Sequence, residues 1–301
     1  MTPARARLSL FAAAALFSTG GAAIKYCSWN AWQVACLRSG VAGLVLVLLL
    51  PAARRRWTLG TVLVGAAYAA TMILFVTGNK LTTSAATIFL QSTAPLYLLL
   101  LGPLLLHEPV RRRDLGVIVA LGAGLVMMLL GADQPMATAP DPWRGNVIAL
   151  LSGVAWAFTL LGLRWLGRGA GAREAGLGAV VAGNVIAFLV CLPFALPLDH
   201  AGRGDVLSIA YLGVFQIGLA YVFLTAGIAH VRALAAALLL LLEPVLNPFW
   251  AWAVQGEKPG LWTVLGGLLI LSGTLVQAVP ARGTPETPDR VDADRVRQSG
   301  D

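Results

Sequence analysis

The chain has 301 residues, of which 58% are apolar and only 12% charged, against roughly 25% charged residues in a soluble domain. With a mean hydropathy of +0.78 and apolar runs of about twenty residues recurring almost to Val279, this excludes most soluble folds and reads as a polytopic helical membrane protein. The net charge of +8 does not indicate nucleic acid, because the basic residues sit in short clusters between apolar runs instead of forming one stripe.

Cuts at charges, turn residues and prolines predict ten spans, at 8–25, 31–51, 58–78, 82–106, 114–132, 143–166, 174–197, 205–228, 231–254 and 261–279. Arg5 and Arg7, followed by an alanine-rich run, imitate a secretory signal, but the internal repeat described below argues for a retained first span, in which Phe17 precedes polar Ser18 and Thr19. Span two carries Arg38 about two turns inside its boundary. Cys27, Cys36 and Cys191 form no C-x-x-C and have no neighbouring histidine, so they read as small membrane-helix residues. Span three places Tyr68, Thr71, Met72 and Phe75 at helical spacing. Span four places Ser84, Thr87 and Gln91 at i, i+3 and i+7, with Pro95 a turn later.

Residues 133–142, rich in Pro and Asp, link spans five and six. Trp156 in span six is the one mid-span tryptophan. Trp29, Trp32, Trp57, Trp143, Trp165, Trp250, Trp252 and Trp262 fall at or near span ends, where indoles anchor at the membrane interface. Span eight offers Gln216 and Tyr221. Span nine holds Glu243 eleven positions after Arg232 and immediately before Pro244, which places its carboxyl near the bilayer centre. The tail 281–301 is polar and proline-containing and reads as disordered.

Assigning alternate loops to opposite sides puts sixteen basic residues on one side, among them Arg54 to Arg56 and Arg111 to Arg113. Lys25, Lys80, Arg144, Arg203 and Lys258 fall on the other. The positive-inside rule then places both termini in the cytoplasm, as expected of a multi-pass protein of the cell's inner membrane.

A shift of 149 positions pairs Leu63 with Leu212, Gly78 with Gly227, Ala86 with Ala235, Leu90 with Leu239, Pro95 with Pro244 and Glu108 with Glu257. A shift of 151 pairs Gly116 with Gly267 and Gly122 with Gly273, and a weaker shift of 139 pairs Phe17 with Trp156 and Lys25 with Arg164. The chain therefore divides into a first repeat at 1–132, a linker at 133–142 and a second repeat at 143–280. Each repeat has five spans, an odd number, so the two copies cross the membrane in opposite directions. Such inverted repeats are a signature of alternating-access carriers, with the solute site near the midplane between them. The expected fold is all-α, with ten transmembrane helices in two inverted five-helix repeats.

Set in this double five-helix unit, Arg38 early in span two, Pro95 followed by His107-Glu108-Pro109, and Glu243-Pro244 followed by Gly256-Glu257-Lys258 resemble the EamA-type branch of the drug/metabolite transporter superfamily, over about residues 8 to 279. The resemblance implies a ten-helix carrier of small metabolites, many such relatives being exporters of amino acids. The second half departs from the pattern: Val180 or Val181 falls where an arginine matching Arg38 would lie, which counts against a symmetric pair of arginines.

The candidate solute-contacting residues are Phe17, Tyr68, Thr71, Gln91, Trp156, Gln216 and Tyr221, each weighed against ordinary helix packing. Together they suit an uncharged or zwitterionic solute. Pro95 and Pro244 are candidate hinges, since proline removes a backbone hydrogen bond, bends the helix and leaves a carbonyl open to ligand or water. Arg38 and Glu243 are the deepest ionisable residues, where an unpaired charge costs about 2.5–3.5 kcal/mol, so each needs a partner. Arg38 can snorkel, bond helix carbonyls or meet a carboxylate. Glu243, whose neutral form desolvation favours, reads as a proton carrier, as a permanently protonated acid bonded to a neighbouring helix, or as the ion-pair partner of Arg38.

The sequence contains no G-x-x-x-x-G-K-[ST], H-E-x-x-H or G-x-S-x-G. ATP hydrolysis is therefore not expected, and transport would draw on an ion or solute gradient. His107, His200 and His230 are too scattered to form a metal set, and no cofactor is called for. The leading expectation is a secondary exporter of small metabolites, most of all amino acids or related amphipathic solutes. Its partners are the small-molecule solute, the lipid bilayer and a proton as candidate coupling ion, with no nucleic acid. A passive channel and a multidrug exporter are the competing transport readings. An intramembrane enzyme would need a paired acid and base, or a nucleophile with its base, and neither is legible.

Overall fold

The structure is a computed structural model that describes residues 2–54, 57–105, 112–132, 134–167, 172–198, 202–228, 230–231, 236 and 239–278. Arg55, Arg56, His107-Glu108-Pro109, Arg111, Arg168, His200, Arg232 and the tail from Ala281 lie outside the described residues. Helices dominate because a segment in hydrocarbon must satisfy its own backbone groups, and no strand occurs among the described residues. The first repeat contains α1 (Pro3–Ser18), α2 (Gly20–Tyr26), α3 (Ala31–Leu49), α4 (Leu59–Leu81), α5 (Ser84–Gln91), α6 (Ala94–Leu105) and α7 (Arg112–Leu130). The second contains α8 (Pro142–Leu166), α9 (Ala172–Ala195), α10 (Arg203–Ala210), a π-helical stretch (Tyr211–Leu219), α11 (Ala220–Ile228), α12 (Leu242–Gln255) and α13 (Leu261–Ala278).

Among the described residues, seven helical stretches are long and apolar enough to cross a membrane: Ala4–Tyr26, Ala31–Leu49, Leu59–Leu81, Ser84–Leu101, Pro142–Leu166, Glu174–Ala195 and Arg203–Ile228. Asp114–Leu130 and Leu261–Val276 are shorter apolar helices, and α12 occupies the place of the ninth span. Polar caps start several of these helices: Thr58 accepts from the Thr61 amide, Asn30 and Gln33 form a reciprocal capping box, and Asp141 caps α8 with Pro142 in its first turn. Gly256, at φ +67°, ends α12 in the left-handed conformation that glycine adopts without strain.

Three spans are interrupted where they face the centre. Span one breaks at Thr19, with Ser18 and Thr19 hydroxyls donating back to the Ala15 and Leu16 carbonyls at 2.7 Å each. Span four breaks at Ser92 and Thr93, whose hydroxyls donate to the Ile88 and Leu90 carbonyls at 2.7 and 2.6 Å. Span eight widens into the π-helical stretch, a geometry often found at functional sites. This corrects the expected role of the prolines: Pro95 and Pro244 do not bend continuous helices but lie in the first turns of α6 and α12, where a missing N–H costs little.

Helix packing reproduces the repeat. α4 packs along α8 as α11 packs along α1; α4 meets α9 as the π-helical stretch meets α3; α5 meets α8 as α12 meets α1 and α2. α3 with α9, α7 with α13, and α5 with α12 pair across the axis that exchanges the repeats. At α4/α9 a side chain on Gly183 would lie 2.7 Å from the Gly65 carbonyl and 2.5 Å from the Tyr68 ring, so small residues let these helices approach as membrane helices require.

Candidate functional site

Between the repeats lies a cavity of about 370 Å³, within the range of small-molecule sites. The seven candidate solute-contacting residues, the two candidate hinge prolines, Arg38 and Glu243 all reach its wall. From the first repeat come Phe17 of α1, Arg38 of α3, Tyr68 and Thr71 of α4, Gln91 of α5 and Pro95 of α6. The second contributes Trp156 of α8, Gln216 of the π-helical stretch, Tyr221 of α11, and Glu243 and Pro244 of α12.

The wall is related to itself by the 149-residue shift. Tyr68 and Ile217, Met72 and Tyr221, Phe75 and Leu224, Gln91 and Leu240, Ala94 and Glu243, and Pro95 and Pro244 are matched pairs, and both members of each line the cavity. Phe17 and Trp156, matched by the shift of 139, face it as well. The cavity therefore straddles the axis between the repeats.

The aromatic part is ordered by edge-to-face contacts, Phe17 to Tyr221 at 5.3 Å and Tyr68 to Tyr221 at 6.1 Å between ring centroids. The Gln91 amide donates to Ser152 Oγ at 2.9 Å, and Ser152 donates to the Thr71 carbonyl at 3.2 Å, tying α5, α8 and α4 together. Gln216 Nε2 donates to the Phe17 carbonyl at 3.4 Å, while its Oε1 has no partner. Ser84 and Thr87, expected to continue the Gln91 stripe, are not in the wall: Ser84 Oγ donates to Asn79 Oδ1 and Thr87 to the Thr83 carbonyl, at 3.0 Å each.

Arg38 and Glu243 share the cavity without forming an ion pair, which removes the expected alternative of mutual neutralisation. Arg38 is fully buried; its Nη2 reaches the Met72 carbonyl at 3.3 Å and Met72 Sδ at 3.4 Å, and Nε has no partner. Glu243 makes neither a hydrogen bond nor an ion pair among the described residues. Trp250 also departs from expectation. Instead of anchoring at an interface, it donates from Nε1 to Ser18 Oγ at 3.0 Å, at the break of span one.

One feature was missed in the sequence. At one end of the bundle Lys25 Nζ lies 3.0 Å from Glu257 Oε1, both side chains almost completely buried. Lys25 also donates to the carbonyls of Thr82, at 2.8 Å, and Thr138. Glu257 accepts from the Ser84 amide at the start of α5, at 2.8 Å, and from the Thr138 hydroxyl at 3.2 Å. Nearby, Lys80 Nζ donates to the Cys27 carbonyl at 2.5 Å. This cluster joins the two repeats and the connection between them. Cavity residues lie farther along the chain: Phe17 of α1 is eight residues before Lys25 of α2, across the break at Thr19, and Gln91 is seven residues after Ser84 in α5, about 10 Å at helical rise. The cluster therefore lies at one end of the bundle, beyond the cavity residues of α1 and α5. The clue in the sequence was the matching of Lys25 with Arg164 and of Glu257 with Glu108.

Comparison with known proteins agrees with this architecture. The profile of the EamA-like transporter family matches twice, over residues 5–130 and 143–278. An uncharacterized protein of Pseudomonas aeruginosa is 35% identical over 178 residues, 54% of this chain and 56% of that protein. An uncharacterized transporter of Archaeoglobus fulgidus is 25% identical over 199 residues, 64% of this chain and 66% of that protein. Each match thus spans less than two thirds of the relative. A protein crystal structure superposes with a TM-score of 0.59 over 92% of this chain and 97% of its own, at 22% identity, a likeness of fold. A double family match over two repeats that pack as mirror roles around one cavity makes the chain a multi-pass membrane protein of the EamA-like transporter family, within the drug/metabolite transporter superfamily.

Proposed function

We propose that the chain is a secondary carrier that exports small metabolites, foremost amino acids or related amphipathic solutes, across the inner membrane by alternating access. The cavity carries this reading: it sits between two inverted repeats, is sized for a small solute, and combines aromatic walls with few polar groups. The positive-inside distribution supports cytoplasmic termini and so puts the Lys25–Glu257 cluster at the outer end. On this reading the cluster holds the outer end shut, and export requires it to part while the repeats rock about their axis. Ser92–Thr93 and the start of α12, beside Pro95 and Pro244, are the places where the helices can pivot. Glu243, with no partner among the described residues, is the candidate proton carrier.

The test is uptake into proteoliposomes over a panel of amino acids, drugs and nucleosides, with and without a pH gradient. A carrier gives saturable flux, counterflow, and accumulation when a gradient drives it. Flux that rises linearly with concentration and shows no counterflow overturns the carrier in favour of a channel. Transport of unrelated drugs without that of amino acids overturns the solute class in favour of a multidrug exporter.

A further inference from the structure

Arg38 lies in the cavity wall with most of its hydrogen-bonding capacity unused. A guanidinium carries five N–H donors in a planar fork and stays charged in proteins. Among the described residues only Nη2 bonds within the protein, at 3.3 Å to the Met72 carbonyl and 3.4 Å to a thioether sulfur, while Nε has no partner. Among the described residues it forms no ion pair with a carboxylate, and Glu243, the acidic side chain among the described wall residues, is not paired with it.

A scaffold role explains this poorly. The second repeat builds the same five-helix unit with Val180 and Val181 at the matching place, buried in an apolar cluster around Tyr68 and Ile217, so the unit does not need a cation there. A buried guanidinium on the wall of a largely apolar cavity is what a site for an anionic group presents, because a carboxylate can take two parallel N–H bonds from it. Arg38 is the single cationic residue among the described residues lining the cavity, which suits one carboxylate better than a doubly charged phosphate.

Resting on the carrier reading above, we propose that Arg38 is the carboxylate subsite of the cavity: the exported solute carries a carboxylate that docks on this guanidinium, with its apolar part against Phe17, Phe75 and Trp156.

The experiment compares solutes that differ only in this group. Dissociation constants of L-phenylalanine and L-phenylalaninamide, and of L-leucine and L-leucinamide, are measured on the full-length purified protein and on Arg38→Gln and Arg38→Lys, alongside transport in proteoliposomes. The wild type is expected to bind each acid at least tenfold more tightly than its amide. Arg38→Gln should lose tenfold or more for the acids while the amides stay within about twofold, and Arg38→Lys should recover part of the loss. Equal binding of acid and amide by the wild type overturns the subsite while leaving the carrier intact, and this comparison needs no variant to fold. Equal loss of acid and amide in a folded Arg38→Gln overturns it too, in favour of a packing role. If neither acids nor amides bind or move, the amino-acid reading falls and the subsite with it.

Discussion

Replacing Glu257 with glutamine tests whether the buried cluster holds the outer end shut. The native carboxylate is bonded to Lys25 Nζ at 3.0 Å, the Ser84 amide at 2.8 Å and the Thr138 hydroxyl at 3.2 Å. Glutamine keeps an oxygen for the Ser84 amide but removes the negative charge, which leaves the Lys25 ammonium buried on carbonyls alone. Breaking a buried pair by removing one partner costs about 3–5 kcal/mol, and each 1.4 kcal/mol is a tenfold change in population. If opening lets water reach Lys25, nearly all of that cost falls on the closed state, and the open fraction rises by about two to three and a half powers of ten. Cys27 reports it, being buried beside the cluster. Burial pushes its thiol up to about 11, so little reactive thiolate exists near neutral pH until the end opens. The assay is the modification rate of Cys27 by an impermeant maleimide, on a Cys36→Ala, Cys191→Ala background. Glu257→Gln should react at least tenfold faster than that background. A Lys25→Met, Glu257→Leu double variant should return to slow labelling, because two apolar side chains strand no charge. A folded Glu257→Gln protein that labels no faster than background would refute the latch.

Cysteines introduced near Pro140 and Gly202 are expected to label from outside and those near Arg55 and Arg112 not to; the reverse pattern overturns the orientation and the assignment of the latch to the outer end. Trp156→Ala should weaken transport of aromatic solutes by about 0.5–1.5 kcal/mol, roughly 2- to 13-fold in KM, and spare small solutes; equal loss for all would make Trp156 a packing residue. Glu243→Gln retains shape and hydrogen bonding but cannot release a proton, so gradient-driven accumulation should be lost while binding and counterflow persist. Accumulation at the wild-type level would remove Glu243 from proton coupling.

The spans and the cavity wall were legible because both depend on local spacing. Apolar runs near twenty residues long specify helices in lipid, and Tyr68, Thr71, Met72 and Phe75 share a face of α4 whatever surrounds it. The interruptions were not legible at the right residues. They arise where Ser18, Thr19, Ser92 and Thr93 turn their hydroxyls back onto carbonyls three or four positions earlier, an option these side chains offer in many continuous helices too. The more conspicuous Pro95 and Pro244 drew the expected bends onto themselves. Lys25 was counted among the basic residues of an outer loop because charge patterning cannot see its partner 232 positions away. Trp250 was misplaced for the same reason, since its hydrogen bond to Ser18 crosses from one repeat to the other.

The repeats agree at some paired positions and differ at others within the cavity wall itself. Gly78 and Gly227 match in the helices, and Pro95 and Pro244 match in the wall, whereas other paired wall positions set Gln91 against Leu240 and Ala94 against Glu243, and Arg38 has only Val180 and Val181 as counterparts. This division has a physical consequence. Two identical inverted units would present the same wall to a solute from either side, and the inward-open and outward-open states would differ only through the membrane and its gradients. One unmatched cation and one unmatched carboxyl in the cavity break that equivalence. In the carrier proposed above, a solute with distinguishable ends would then be held in a defined orientation as the units rock, and a charged group in the solute, or a proton on Glu243, would weight the two end states differently, as any ligand that drives a conformational equilibrium must.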